Sequence, residues 1–433
     1  MAFDHEEMKR KRQERAEQRA RQSAQQRKLM IGLAVAAAVL LACGVLIFSL
    51  SRSASTPTQP PVTETQPPVS QPDGTQPTTA QPASTAPADP VTVIHLAAAG
   101  DLNITDSVVA AGGLLYDYTT AFMDVAHLLA DADIALLNFE GNLYGSNYGS
   151  ATAVAPQSLV EALDRAGVDL VQLANSYAIN QGISGLASTI SGIRLAGMEP
   201  LGVYANQSEF SKGKGYTIRD VQGIKIAFVA FTKGMNGLSL PGGSENCVNV
   251  LYSDYNSAYQ KVNTEGISKI LDAAAAERPD ITVALLHWGS EFNDTVSDSQ
   301  KQIVSLMQEK GVDAIIGTHP HYVQQMTLDP ETGNFVAYSL GDFFGDAKRA
   351  GSEYSVVLDL EITKDNSSGI TKITGFSYTP VFTVHDEHLS SRVVRIHEAI
   401  FAYESGYIDR VTKKTYDAMQ YALQRIEARV KGE

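Results

Sequence analysis

Hydrophobic and polar positions divide the chain into stretches of different character. Residues 29–50 run 22 positions without a charge. At ~1.5 Å rise per residue, a helix of that length crosses a hydrocarbon core of ~30 Å. No face of it is polar, which argues against a buried soluble helix. Residues 51–92 are rich in Pro, Thr, Gln and Ser and hold ten of the chain's 17 prolines. Such a stretch cannot bury enough apolar surface to fold, and its prolines favour extended conformations. It reads as a disordered stalk with a reach on the order of 120 Å.

From Val93 onward, apolar runs of strand length alternate with helical stretches, the pattern of a folded α/β domain. Runs at 93–98, 134–137, 170–173 and 281–286 predict buried strands, as does the run opening at Val312. Residues 216–219 and 224–231 predict a hairpin turning at Gln222-Gly223. Helices are expected from Gly182 through Leu195 and near 299–310. Residues 335–340, 354–363 and 370–383 read as later strands, the last two alternating and more exposed. Residues 402–431 carry an amphipathic helical pattern with Tyr403, Tyr407, Met419, Tyr421, Leu423 and Ile426 among its apolar positions. The pattern thus sets a body at 93–400 apart from a C-terminal helix at 401–433.

Charge adds a direction. The formal net charge is -14, yet residues 1–28 carry nine Lys/Arg against five Asp/Glu. A basic segment before the apolar run and an acidic chain after it place the N-terminus in the cytoplasm and the body outside the cell membrane, as a single-pass protein. Leu40-Leu41-Ala42-Cys43 offers a competing lipoprotein cleavage box. Against it, the apolar run continues to Leu50 and the basic region is long for a signal peptide. The acidic body excludes a nucleic-acid partner, because phosphate backbones demand positive charge. Two cysteines, Cys43 and Cys247, build neither a disulfide framework nor a zinc–thiolate site.

The candidate chemistry gathers where apolar runs stop. Gly311-Val-Asp-Ala-Ile-Ile-Gly-Thr-His-Pro-His321 ends a buried run in two histidines. Pro320 keeps His319 out of the helical region, so the tip reads as extended and aims both imidazoles to one side. Other runs finish in Asp101, Glu140, Asn175 and His287. Singly, these are a turn cap, a solvated acid or a helix cap. Five in succession point instead to one site at the carboxyl ends of strands.

Six segments resemble the CapA-type poly-γ-glutamate capsule synthesis proteins of the calcineurin-like metallophosphoesterase superfamily. They are Ala99-Gly-Asp-Leu102, Leu137-Asn-Phe-Glu140, Leu173-Ala-Asn175, His287-Trp-Gly-Ser-Glu291, Gly317-Thr-His-Pro-His321 and Tyr338-Ser-Leu-Gly-Asp-Phe343. The resemblance implies an α/β four-layer α-β-β-α sandwich and a site for one or two divalent metal ions. Asp101, Glu140 and His321 would hold one ion, and Glu140, Asn175, His287 and His319 the other, with Glu140 bridging. Two such ions clamp a phosphoryl group and activate water for attack, and these donors suit Mn, Fe or Zn alike. Tyr177 and Glu291 fall at the catalytic positions. The implied partners are capsule polymer synthesis or export machinery and an anionic polymer.

The chain departs from the family pattern where chemistry is at stake. Ser176-Tyr177 replaces Asn-His, the histidine being the expected general acid. Asn180 stands for an acid, Thr318 for a histidine and Asp342 for an asparagine. Two functions follow, a metal-dependent hydrolase or transferase in extracellular polymer assembly, or a non-catalytic metal- or polymer-binding scaffold of a capsule-export complex.

Overall fold

The computed structural model describes residues 90–347, 349–385, 391–407 and 411–433. The basic segment 1–28, the apolar run 29–50 and residues 51–89 of the stalk lie outside them. Among the described residues no helix is long and apolar enough to cross a membrane.

In chain order the strands are β1 (Val91–Asn103), β2 (Ile134–Glu140), β3 (Leu170–Gln172), β4 (Glu199–Leu201), β5 (Tyr216–Val221), β6 (Ile224–Thr232) and β7 (Ile281–His287). They continue as β8 (Ala314–Thr318), β9 (Met326–Leu328), β10 (Phe335–Ala337), β11 (Asp342–Phe344), β12 (Tyr354–Asp365), β13 (Thr371–Val384) and β14 (Arg392–Arg395). Among the described residues they form an eight-stranded sheet ordered β14-β13-β12-β1-β2-β3-β4, with β11 also on β1. A second sheet of six strands runs β5-β6-β7-β8-β10-β9. In the first sheet β1 to β4 are parallel, and so are β6, β7, β8 and β10 in the second.

Alternate residues of the second sheet enter two different cores. Ile226, Phe228, Val283, Leu285 and Ile316 join Leu96, Leu136 and Val171 of the first sheet. Val229, Phe231, Leu286 and Ile315 instead meet Ile267, Leu271, Ile303 and Met307 from the helices Thr264–Ala275 and Asp298–Glu309. With both faces covered, such strands are mostly apolar, which is why they read as unbroken runs rather than alternating ones. Each buried Leu, Ile or Phe contributes ~1.5–3 kcal/mol of transfer free energy. The helices Gln157–Ala166 and Gly182–Leu195 cross over between β2, β3 and β4 and bury Leu159, Leu163, Leu186 and Ile190. Helix, sheet, sheet and helix make four layers.

The hairpin forms as expected, with Gln222 and Gly223 at φ 52° and 82°, both left-handed as a tight hairpin turn requires. Three expectations are corrected. β1 starts at Val91, because Val91 and Thr92 pair with Asp365 and Lys364 of β12, so the folded body takes in the last two residues assigned to the stalk. β12 is interior, wedged between β1 and β13 with its first five residues buried. The C-terminal tail is two helices, Ile396–Glu404 and Lys413–Lys431. The first stops before Gly406, at φ 81°, and the second opens on a Thr412 side chain capping the Thr415 N–H. Met419 and Ile426 are buried, whereas Tyr407 and Tyr421 are exposed. Arg425 and Arg429 of the second helix each reach Asp294 at 3.2 Å.

Candidate metal centre

The parallel strands β1, β2 and β3 of one sheet and β7 and β8 of the other bring their carboxyl ends together. β1 leaves β12 after Ala98 and continues beside β11, with Asp101 in register with Asp342. Gly100 permits this close approach, since a Cβ there would collide with the Gly341 carbonyl oxygen. The Asp101 N–H donates to that same carbonyl at 2.9 Å. Asp101 is therefore carried inside the strand rather than on the loop beyond it.

Asn138, two residues before Glu140 and so on the same face of β2, ties the carboxylates together. Its Nδ2 donates to Asp101 Oδ1 at 2.7 Å and to Glu140 Oε1 at 3.1 Å. Its Oδ1 accepts from Asn175 Nδ2 at 3.0 Å. The Asn175 amide also donates to the Phe139 carbonyl and accepts from the Tyr177 N–H, so Asn175 meets the cluster through Asn138. His287 is fully buried. Its Nε2 accepts from the Ser176 N–H at 3.2 Å, and its Nδ1 lies 3.5 Å from Glu140 Oε1 and 3.2 Å from Thr318 Oγ1.

The histidine tip is not extended as expected. His319 and His321 sit at φ 92° and 59°. The His319 N–H is drawn to Asp101 Oδ2 at 3.0 Å, and the Phe292 N–H holds the Pro320 carbonyl at 2.8 Å. These bonds pull the chain round and sustain a left-handed backbone that non-glycine residues otherwise avoid. The two ring centroids lie 6.0 Å apart, and each ring also meets a buried donor group of its own. His319 joins Glu140 and His287, while His321 joins Asp101 and Asp342, and within each group one ligand atom per residue lies within 4.8 Å of the others. His319, His321 and the exposed Glu291 form a third such group.

Electrostatics follow from burying so many charges. Burial pushes the Asp101 carboxyl up to about 6, against the pull of His321. Burial and the neighbouring Asp101 push Glu140 well above the usual carboxylate range. Burial holds His287 and His319 neutral. It would do the same to His321, but Asp342, 2.7 Å from Nδ1, with Glu140 and Asp101, overrides it and keeps that ring charged. The Tyr177 phenol is pushed up to about 12 by burial and then by Glu140 and Glu291.

The arrangement fits a divalent cation. His319 Nδ1 is buried with no hydrogen-bond partner, a costly state for a group that can accept. Neutral imidazoles beside carboxylates are the donors that Mn, Fe or Zn take. Glu140, His287 and His319 would hold one ion, and Asp101, His321 and Asp342 a second once the His321 ring gives up its extra proton on metal binding. Asp342 thereby joins as a donor although it marks a departure from the family pattern. The sequence alone assigns no role to Asn138 or Lys233, and Ser176 stands there only as a departure from the family pattern. The i−2 spacing puts Asn138 on the face of Glu140 without marking it as a tie, whereas Lys233 stands just past the apolar run 224–231.

The pattern of the bacterial capsule synthesis protein PGA_cap family matches residues 95–347. The capsule biosynthesis protein CapA of Bacillus anthracis is 26% identical over 270 residues, 60% of this chain and 61% of that protein. This chain therefore spans less than two thirds of that relative. The PGA biosynthesis protein CapA of Bacillus subtilis is 25% identical over 290 residues, covering 63% and 70%. Among solved structures, a calcineurin-like phosphoesterase of Bacillus subtilis, YfkN, aligns with a TM-score of 0.41 at 15% identity, covering 78% of this chain and 98% of that one. A phosphatase of Mycoplasma pneumoniae aligns with a TM-score of 0.40 at 14% identity, covering 67% and 94%. The family's pattern spans the strand ends that carry Asp101, Glu140, His287, His319 and His321 and extends over more than half of the chain, which belongs to the bacterial capsule synthesis protein PGA_cap family.

Proposed function

We propose that this chain serves the synthesis or export of a capsule or other extracellular polymer of the poly-γ-glutamate type, as a divalent-metal protein with hydrolase or transferase chemistry. The observation that carries this reading is the buried donor set at the converging strand ends, one of whose members, His319, keeps a buried Nδ1 with no hydrogen-bond partner. The names of the Bacillus relatives support the capsule role. A bound ion would supply positive charge for an anionic substrate and for the developing charge of its reaction. Elemental analysis of the purified protein tests this, with one or two divalent ions per chain expected. Protein recovered without metal, and taking up none on titration, sinks it.

A second reading keeps the metal or polymer binding and drops the chemistry, leaving a scaffold of a capsule-export complex. Tyr177 favours it, since a phenol held neutral up to about 12 is a poor proton shuttle.

The proposal includes a place. A basic segment 1–28 and an apolar run 29–50 support a single-pass anchor with the body outside the membrane. Protease added to wall-stripped cells should remove the body and leave a small membrane fragment. A protected body contradicts the topology, and a lipid on Cys43 replaces the span with a lipoprotein anchor.

A further inference from the structure

The helix Lys413–Lys431 reaches the candidate metal centre through one loop. Arg425 and Arg429 lie four residues apart on one face of it, and both donate to Oδ2 of Asp294. Nη2 of Arg425 does so at 3.2 Å, and Nη2 and Nε of Arg429 at 3.2 and 3.3 Å. Asp294 stands in the loop that follows His287, three residues past Glu291. Gln324 holds the same loop by donating to the Asn293 carbonyl at 2.9 Å. Beside these ties Phe292 keeps a left-handed backbone at φ 54°, a conformation a non-glycine residue sustains only where its surroundings enforce it. Its ring is thereby laid on His321, with centroids 5.0 Å apart and planes at 28°. The Arg429 guanidinium also covers Tyr322, the neighbour of His321, 4.6 Å from the ring centroid. Asp342 fixes the His321 ring at Nδ1, and Phe292 fixes its face.

We propose that Arg425 and Arg429 are positioning residues for the candidate metal ligand His321, acting through Asp294 and Phe292. The inference rests on the metal-centre reading above and adds to it a part of the chain that the family's pattern, ending at residue 347, does not reach. Burial argues for a role beyond stability. Arg429 is only 7% exposed, and its Nη1 has no hydrogen-bond partner. A buried guanidinium short of a partner is a costly way to hold a helix down, since well-packed apolar residues often do as well or better. What an apolar residue cannot do is hold the Asp294 carboxylate, and with it the loop, in one place. Phe292 in turn brings His321 neither a proton nor a donor atom, so its contribution is orientation. A ring already aimed loses little freedom when a metal arrives, which is how the outer partners of metal-binding histidines act.

The test uses the full chain and Mn²⁺ alone, with hydrogen exchange of the metal-free protein as a second readout. Asp294→Asn removes the charge that both arginines hold, and because Asp294 is partly exposed the metal-free Tm should hardly move. Exchange across 290–296 should quicken in Asp294→Asn and in Arg425→Met/Arg429→Met, whereas Asp294→Glu should keep most of the wild-type protection. The ion that His321→Ala removes should bind ~10-fold or more weakly in both variants, while the ion that His319→Ala removes keeps its affinity. Equal exchange in all the proteins overturns the proposal, whatever the metal does. So does unchanged affinity of the His321-dependent ion, or a weakening of both ions alike, the mark of a merely structural helix contact. A wild type that takes up no Mn²⁺ while the exchange contrast persists removes the metal reading and leaves the positioning of Phe292 over His321 standing.

Discussion

A chain carrying His319→Ala and His321→Ala together is expected to hold far less divalent metal than the wild type, and to lose the rise in Tm that added metal produces. Each histidine belongs to a separate buried donor group, one with Glu140 and His287 and one with Asp101 and Asp342. Removing both therefore strips a ligand from each. Loss of even an outer partner weakens metal sites ~10–100-fold, and loss of a direct ligand should cost at least that. A metal present at 100 times its Kd stabilises a protein by about 2.7 kcal/mol, roughly 5 °C in Tm for a domain of this size. The comparison is made with and without metal within each variant, because alanine at φ 92° or 59° carries its own strain. Acid should act in the same direction as the mutations. The buried Asp101 carboxyl holds its proton up to about 6, against a reference of 3.8, and a metal needs the carboxylate. Below about 6 the ion must displace that proton, so affinity should rise as pH rises through this value. Equal metal content in wild type and double mutant, with equal shifts in Tm, would falsify the assignment.

Much of this arrangement is legible in the order of residues, for a physical reason. Strands covered on both faces are mostly apolar, so β2, β7 and β8 announce themselves as runs, and the polar residues that close them point to the site. Glu140 and His287 are the last residues of their strands. Through-space partnerships leave no such mark. Asn138 lies inside an apolar run and is recognisable as a tie only once Asp101, Glu140 and Asn175 surround it. Asp342 reads as a departure in sequence, yet the parallel pairing of β11 with β1 sets it against Asp101 and gives His321 its counter-charge. The rule for a residue before proline excludes helix at His319 but does not choose among the remaining conformations. Two long-range hydrogen bonds made that choice. The split in the C-terminal tail was overlooked for a different reason. One glycine inside a helical pattern costs only ~1 kcal/mol, and Gly406 falls where tertiary context decides whether the helix stops.

The other large effect is expected from Tyr177→His, which should raise turnover of alkyl phosphate esters much more than that of activated aryl esters. Tyr177 stands beside the donor groups, its phenol pushed up to about 12 by burial and by the Glu140 and Glu291 carboxylates. Such a group donates a hydrogen bond but does not give up and recover a proton near neutrality. An aryl leaving group departs as a stable anion and needs no proton. An alkyl leaving group does need one, and a well-placed general acid is worth ~10²–10⁴ in rate. The wild type should therefore cleave an aryl ester weakly and in a metal-dependent way, and an alkyl ester barely. A histidine at 177, near the same carboxylates, would titrate closer to neutrality and could supply the missing proton. The ratio of the two gains is the readout, because a variant that merely relaxes the site should raise or lower both substrates together. If neither ester is cleaved by either protein with any divalent metal supplied, Tyr177 packs over a centre that binds without reacting, and the scaffold reading replaces the catalytic one.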